Sequence, residues 1–173
     1  MNKEGFDFLR QQKLMLRKKH KEEDVYVLKK ADTSEVADVL FIHSCVDSLK
    51  LYLYNIRNKK VEEFTVPYFV ALEGLLSSMI FFLTETDSKD PFTCEGIPNQ
   101  KRQRFMREMR VVDLFVDMIY CPFQDKLYNF DELTQKHPIT RICQLAYRLL
   151  KHCVKEYNYS KFYVAQYIDF YFN

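Results

Sequence analysis

The stretch TVPYFVALEGLLSSMIFFLT, residues 65–84, decides the fold class of this protein. Thr65 stands just before a first turn that contains Pro67, where the missing N–H of proline is harmless. The apolar side chains then recur at the spacing of one helix face: Phe69, Leu72, Leu76, Met79, Ile80 and Leu83. This spacing predicts a helix that ends near Thr84 and is buried on one side.

The same stretch bears on membrane insertion. Its most hydrophobic part, LLSSMIFFL at residues 75–83, is about half as long as a bilayer-spanning helix. Extending it backward meets Glu73 and Pro67, so we predict a buried helix and no membrane-spanning segment in this chain.

Helical periodicity also occurs on both sides of this stretch. A helix from Ala31 to Arg57 is capped by Asp32, Thr33 or Ser34, and the following apolar positions form its predicted stripe: Val36, Val39, Leu40, Val46, Leu49, Leu53 and Ile56. Asn99 caps a basic segment that continues or bends into VVDLFVDMIY and stops at Cys121.

Two further helices are predicted towards the end of the sequence. One runs from Ile139 to Tyr157, and Ser160 caps the other, KFYVAQYIDFYF. Proline, glycine and acidic residues make the stretch 85–99 a loop. Several amphipathic helices without alternating strands predict an all-α single domain, of the kind whose helix pairs stack in an armadillo-like way.

Composition supports this fold class and limits the function. The chain has 173 residues, 47% of them hydrophobic, and only three glycines, which excludes disorder and disfavours a glycine-rich all-β fold. A net charge of +2 gives no general attraction to nucleic acid, so no nucleic-acid partner is predicted. Five cysteines without a CxxC pattern, and no visible signal peptide, indicate a reduced, cytosol-facing protein.

Motifs for catalysis are missing from the sequence. It contains no GxSxG, no HExxH and no glycine-rich phosphate loop, so we predict neither an enzyme nor a cofactor. His152 and Cys153 are adjacent and point about 100° apart on a helix, which argues against a shared metal. Asp113 and Asp117 lie on one helix face, and we interpret them as a solvated edge rather than an acid–base pair.

The segment KRQRFMREMR, residues 101–110, carries five cations and one acid. Lys101, Arg104 and Arg107 lie on one flank of the predicted helix, where Glu108 offsets Arg104 but not Arg107. Either this flank is simply solvated, or its guanidinium groups bind phosphate through paired hydrogen bonds. Five tyrosines follow later in the sequence, and the last four recur every four residues, which we interpret as a packing stripe in a core or an interface: Tyr157, then Tyr159, Tyr163, Tyr167 and Tyr171.

Three runs of sequence carry a family resemblance. They are LLSSMIFFLT, then RQRFMRE with its following apolar helix and CPF ending, and then ITRICQLAYRLLKHCVKEYNYSKFYVAQ. Together they cover roughly residues 65–172 and resemble the helical domain shared by inositol trisphosphate receptors and ryanodine receptors, more closely the former. The resemblance implies an armadillo-like unit over residues 31–173, preceded by a charged segment at 1–30 that is either a frayed helix or a solvated tail.

The resemblance also implies a ligand site. In that family the domain forms one wall of an inositol trisphosphate cleft, and a β-trefoil domain forms the other. Arg104 stands where the family has a phosphate-contacting lysine, Arg107 where it has a phosphate-contacting arginine, and Tyr157 where it has the tyrosine of a tyrosine-arginine-lysine motif. Lys101 is a further candidate on the same helix.

Three family positions have lost their charge. Asn158 and Tyr159 replace the arginine and lysine of the motif, and Gln100 replaces another basic residue. Each lost contact to phosphate costs on the order of 1.5–3 kcal/mol. The resemblance therefore implies a weakened or lost inositol phosphate site.

The functional expectation is a cytosolic domain of an inositol trisphosphate receptor-like calcium-release channel, on the cytosolic face of the endoplasmic reticulum membrane. Its implied partners are the β-trefoil domain and the other subunits of a homotetramer. Two alternatives stay open at this point. One is a ligand-independent helical scaffold in the cytoplasm that binds proteins through its tyrosine-rich last helix, and the other is a ryanodine-receptor-like domain without any inositol phosphate.

Overall fold

A computed structural model describes residues 30–60, 63–129, 131 and 133–172, without the side chains of residues 125, 126 and 167–172. The chain divides into residues 1–32 and a compact unit, Thr33–Asn173. The predicted charged segment at 1–30 lies outside the described residues, apart from Lys30.

The compact unit is built from six α-helices in its described part. They are α1 (Thr33–Arg57), α2 (Val66–Leu83), α3 (Gln100–Glu108), α4 (Val111–Tyr120), α5 (Pro138–Val154) and α6 (Asn158–Phe172), with a 3-10 helix at Cys121–Lys126. The predicted loop at 85–99 contains a minimal antiparallel pair, β1 (Thr84–Glu85) with β2 (Ile97–Pro98). The prediction of an all-α single domain is confirmed.

Side chains close the first turns of three helices. The Thr65 hydroxyl accepts from the Tyr68 N–H at the start of α2, and the Asn99 amide oxygen accepts from the first turn of α3. The His137 Nδ1 accepts from the Ile139 N–H at the start of α5. These bonds satisfy backbone donors that have no partner within the helix.

A residue with a left-handed backbone conformation follows the end of three helices. Lys59, Arg110 and Glu156 have φ angles of 54°, 59° and 58° and follow the ends of α1, α3 and α5. This position usually belongs to glycine. The left-handed turn at Glu156 ends α5 at Val154 instead of the predicted Tyr157, and the one at Arg110 separates α3 from α4.

The core forms around α5, whose most extensive contacts are with α2 and α4. The predicted stripe of α2 is buried at Leu72, Leu76, Met79, Ile80 and Leu83. By length and composition alone α2 could cross a membrane, with a mean hydropathy of 1.8, and it is the one such helix found among the described residues. Its buried face packs on α5, as expected of a core helix in a folded domain.

The buried face of α1 differs from the predicted stripe. Leu49, Leu53 and Ile56 are buried as predicted, but Leu40 is 52% exposed. Ile42, Cys45 and Tyr52 fill the core in its place. Helix α1 contacts α4, the 3-10 helix, α2 and α3, and a pattern within α1 contains no information about where those neighbours pack.

Candidate anion site

Helix α3 is fixed to the end of α5 by one buried amide. Gln103 is fully buried, and its Nε2 donates to the backbone oxygens of His152 at 2.6 Å and Lys155 at 2.8 Å. Phe105 and Met106 of α3 are also buried in the core.

The first cations of α3 are held by other elements. The Lys101 ammonium lies 2.7 Å from a carboxylate oxygen of Glu35 on α1. The Arg102 guanidinium binds Asp38 on α1, donates to the Phe82 carbonyl at 2.8 Å and lies over the Phe82 ring. Within the described residues no contact joins Lys101 to Arg107 or Tyr157, so the structure separates this predicted ligand residue from the others.

The last turn of α3 meets the start of α6. The Arg107 guanidinium carbon lies 5.4 Å from the ring centre of Tyr157 and 5.6 Å from that of Tyr159. The two rings pack edge to face at 5.9 Å. Cation–π contacts of this kind orient a guanidinium without using its N–H donors.

One acid serves both predicted arginines. Glu108 lies 3.6 Å from the Arg104 Nε and 3.7 Å from the Arg107 Nη2. The expectation that Glu108 offsets only Arg104 is therefore wrong, because the side chain lies between the two guanidinium groups. Both distances are longer than a hydrogen bond, so the arginines keep hydrogen-bonding capacity for another anion.

The structure thus brings Arg107 and Tyr157 together, links Arg104 to them through Glu108, and turns Lys101 towards α1. Sequence reasoning placed Tyr159 as a lost lysine and as part of a packing stripe, and did not predict its contact with Arg107. The residue is 73% exposed. Its position two residues after Tyr157 was the available signal, since Tyr157 directly precedes α6 and Tyr159 lies in the first turn.

The interpretation of Asp113 and Asp117 as a solvated edge is wrong. Both carboxylates are buried on α4, where Asp117 pairs with Arg57 of α1 at 2.7 Å. Asp113 pairs with Arg110 at 2.9 Å and accepts from the Tyr163 hydroxyl. Burial, together with the neighbouring Asp113, raises the pKa of Tyr163 to about 12. Each acid has a partner and serves to join helices.

Two other predictions concern the neighbourhood of this site. Ser160 does not cap α6, because the helix begins at Asn158 and Ser160 lies buried in the first turn. His152 and Cys153 are both fully buried, and burial raises the pKa of the Cys153 thiol to about 12. All five cysteines are free thiols. Across the described ranges, no group of three metal-ligating side chains converges.

The arrangement combines two guanidinium groups, a shared acid and two exposed or half-exposed phenols on a helical scaffold. Such a surface can bind an anion by charge-assisted hydrogen bonds. Fold and surface together define an all-α domain with a cationic surface patch. A family model for the RIH domain (RYDR_ITPR) matches residues 73–173, more than half of the chain. The chain belongs to this family, the helical domain of inositol trisphosphate and ryanodine receptors.

The match contains α3, α5 and the start of α6, and therefore all of Arg104, Arg107 and Tyr157. It is a family of channel receptors rather than of enzymes.

Proposed function

We propose that this domain forms one wall of a weak inositol phosphate site in an inositol trisphosphate receptor-like calcium-release channel and passes the binding signal on through its packed helices. The observation that carries the proposal is the contact of Arg107 with Tyr157. Residues from α3 and α6, about fifty positions apart, meet where the family resemblance requires a phosphate-binding pair.

The contacts of the cations support a weak site. Lys101 pairs with Glu35, while Arg104 and Arg107 share Glu108. A phosphate has to compete with these acids, and the uncharged Asn158 and Tyr159 offer no further cation. The Arg104 side chain is 48% exposed and the Arg107 side chain 20%. Salt therefore screens chiefly the attraction of Arg104 for an anion, beyond a Debye length of about 8 Å.

In this proposal the partners are a β-trefoil domain across the cleft and the other subunits of a homotetramer. The domain then lies on the cytosolic face of the endoplasmic reticulum membrane. Signal transmission runs from α3 through Gln103 into the end of α5, the helix that packs against α2, α4 and α6.

Calorimetry with inositol trisphosphate at low salt tests the ligand site. The Arg104→Gln, Arg107→Gln double variant should lose binding while keeping its helical circular dichroism. A matched control removes two exposed cations elsewhere, Lys50→Gln with Lys136→Gln, and should keep wild-type binding. Equal losses in both variants would mean that only the overall charge matters, and the proposed site would be rejected.

A second candidate function is a protein-interaction scaffold that binds no inositol phosphate. It is favoured by two exposed aromatic residues on α6, Tyr159 at 73% and Phe162 at 72%. Aromatic residues exposed on one helix are typical of protein interfaces. Absence of any heat with inositol trisphosphate, in wild type and in every variant, would select this function.

A further inference from the structure

Three cations meet at the end of α5. Arg148 and Lys151 lie three residues apart on one face of the helix, and Lys155 directly follows its last residue. All three side chains reach Glu95. With a rise of 1.5 Å per residue the three positions span about 10 Å along the axis. None of them belongs to the anion site on α3.

A carboxylate from the loop between β1 and β2 occupies this face. Oε1 of Glu95 lies 3.0 Å from the Arg148 Nη1 and 2.7 Å from the Lys151 Nζ. The hydrogen bonds from Lys151 and Arg148 lower the pKa of Glu95 to about 2, so the side chain is a permanent anion at neutral pH. Glu95 therefore sits where an external anion would bind.

The Glu95 carboxylate does not neutralise all three of these cations. The Lys155 ammonium reaches only the carbonyl oxygens of Glu95 and Gly96, both at 3.4 Å, and no acid in the described part of the chain pairs with it. The Nε of Arg148 also has no partner among the described residues. One carboxylate is hydrogen-bonded to two of these three cations, and Asp90 lies near enough to Arg148 to interact with it electrostatically. Even with both acids counted, the face keeps an excess of positive charge.

The carboxylate can leave without moving the loop. The Glu95 side chain is 54% exposed, whereas its neighbours fix the backbone. Cys94 is fully buried and its carbonyl accepts from the Arg148 Nη2. A Cβ on Gly96 would lie 2.6 Å from the Glu85 carbonyl oxygen, so the backbone there packs too closely for any other residue. Rotation of the Glu95 side chain alone uncovers the cations.

We propose that Arg148, Lys151 and Lys155 form a second anion site for a multiply charged phosphate, and that Glu95 is its built-in competitor. The excess of positive charge and its spread of about 10 Å fit several phosphate groups better than one carboxylate. The site uses other residues than Arg104 and Arg107 and does not rest on the proposed inositol trisphosphate site.

Titration of the full chain with inorganic tripolyphosphate at low salt tests this site. Glu95→Gln should bind the probe at least about tenfold more tightly than wild type, because a competing charged hydrogen bond is removed. Glu85→Gln, which removes an exposed acid on the same loop, is the matched control and should change binding less than about twofold. No tightening, or equal tightening in the two variants, overturns the competitor role.

A second variant leaves the competing Glu95 carboxylate in place. Lys155→Gln in the otherwise unchanged chain should weaken tripolyphosphate binding about tenfold, since its ammonium has no acid to release. Unchanged binding would overturn the site whatever happens to Glu95→Gln. A poly-glutamate peptide that binds where tripolyphosphate does not would overturn the assignment to phosphate.

The Arg104→Gln, Arg107→Gln variant separates the two sites. It should lose the inositol trisphosphate binding that depends on α3 and keep the tripolyphosphate binding that depends on Lys155. Loss of tripolyphosphate binding there would place the probe on α3 and overturn the second site. Inositol trisphosphate binding that this variant keeps in full and that Lys155→Gln abolishes would instead reject the proposed function.

Discussion

The contact between α2 and α5 and the surface formed by α3 and α6 each contain an arginine beside an aromatic ring. The two arginines differ in how closely an acid binds them. Between α2 and α5, Arg141 binds both carboxylate oxygens of Glu73 at 2.8–3.0 Å. On the α3–α6 surface, Arg107 lies on two tyrosine rings and its acid is 3.7 Å away. The first arginine is hydrogen-bonded to an acid of the neighbouring helix and joins α2 to α5, whereas the second has no acid among the described residues within hydrogen-bonding distance and retains donors for a ligand.

The largest expected effect is on the free energy of unfolding and concerns the apolar contact between α2 and α5. Leu76 of α2 is fully buried, so Leu76→Ala should lower the free energy of unfolding by about 2–5 kcal/mol. Val70 on the same helix is 65% exposed, and Val70→Ala should change it by less than about 0.5 kcal/mol. Urea unfolding measures both, and equal effects would contradict the buried face assigned to α2.

The next effect concerns the joint between α3 and α5. Gln103→Leu leaves the buried carbonyls of His152 and Lys155 without their donor and should cost about 1–3 kcal/mol. Gln100→Leu, at the exposed start of α3, is the matched control and should cost much less. If the two variants unfold at the same urea concentration, the amide does not hold α3.

A pH effect follows at the same joint. Burial, and next the Arg148 cation, lowers the pKa of His152. As pH falls, the unfolded chain takes up this proton first, near its ordinary pKa of about 6.5, so the free energy of unfolding should decrease below that pH.

Urea unfolding at pH 7.5, 6.5 and 5.5 measures this dependence, in a window where carboxylates contribute little. His152→Gln should flatten it, whereas His43→Gln, on the exposed side of α1, should keep the wild-type dependence. A slope that His152→Gln leaves unchanged would show that another group causes it.

The smallest expected effect belongs to the exposed ion pair between α3 and α1. Lys101→Gln should lower the free energy of unfolding by less than about 1 kcal/mol, because both Lys101 and Glu35 are exposed to solvent. It should also leave inositol trisphosphate binding nearly unchanged, since Lys101 faces α1. A large loss of binding would mean that Lys101 contacts the ligand after all.

The sequence predicted those parts of the fold that depend on local pattern. The bounds of α1, the buried stripe of α2 and the Asn99 cap all follow from residues close in sequence. The boundary between α3 and α4 at Arg110 could not be predicted in this way, because a left-handed arginine has no sequence signature comparable to glycine. Asp113 and Asp117 were misplaced because their burial depends on partners from other helices, Tyr163 for Asp113 and Arg57 for Asp117.

The candidate site likewise combines residues that the sequence identifies with contacts that only the packing of the helices determines. Arg104, Arg107 and Tyr157 were identified by resemblance to a family, and their meeting requires the packing of α3 against α6. The separation of Lys101 and the sharing of Glu108 depend on side-chain directions after packing. A sequence pattern could therefore name the cations but could not tell which of them were already paired.

The central claim is that α3 and the start of α6 form one inositol phosphate site weakened by lost charges. Calorimetry of the Asn158→Arg, Tyr159→Lys variant with inositol trisphosphate at low salt tests it most directly, because both residues are exposed at the position that meets Arg107. We predict binding at least about tenfold tighter than wild type, from two added charge-assisted contacts. An absence of heat in both wild type and this variant would contradict the claim.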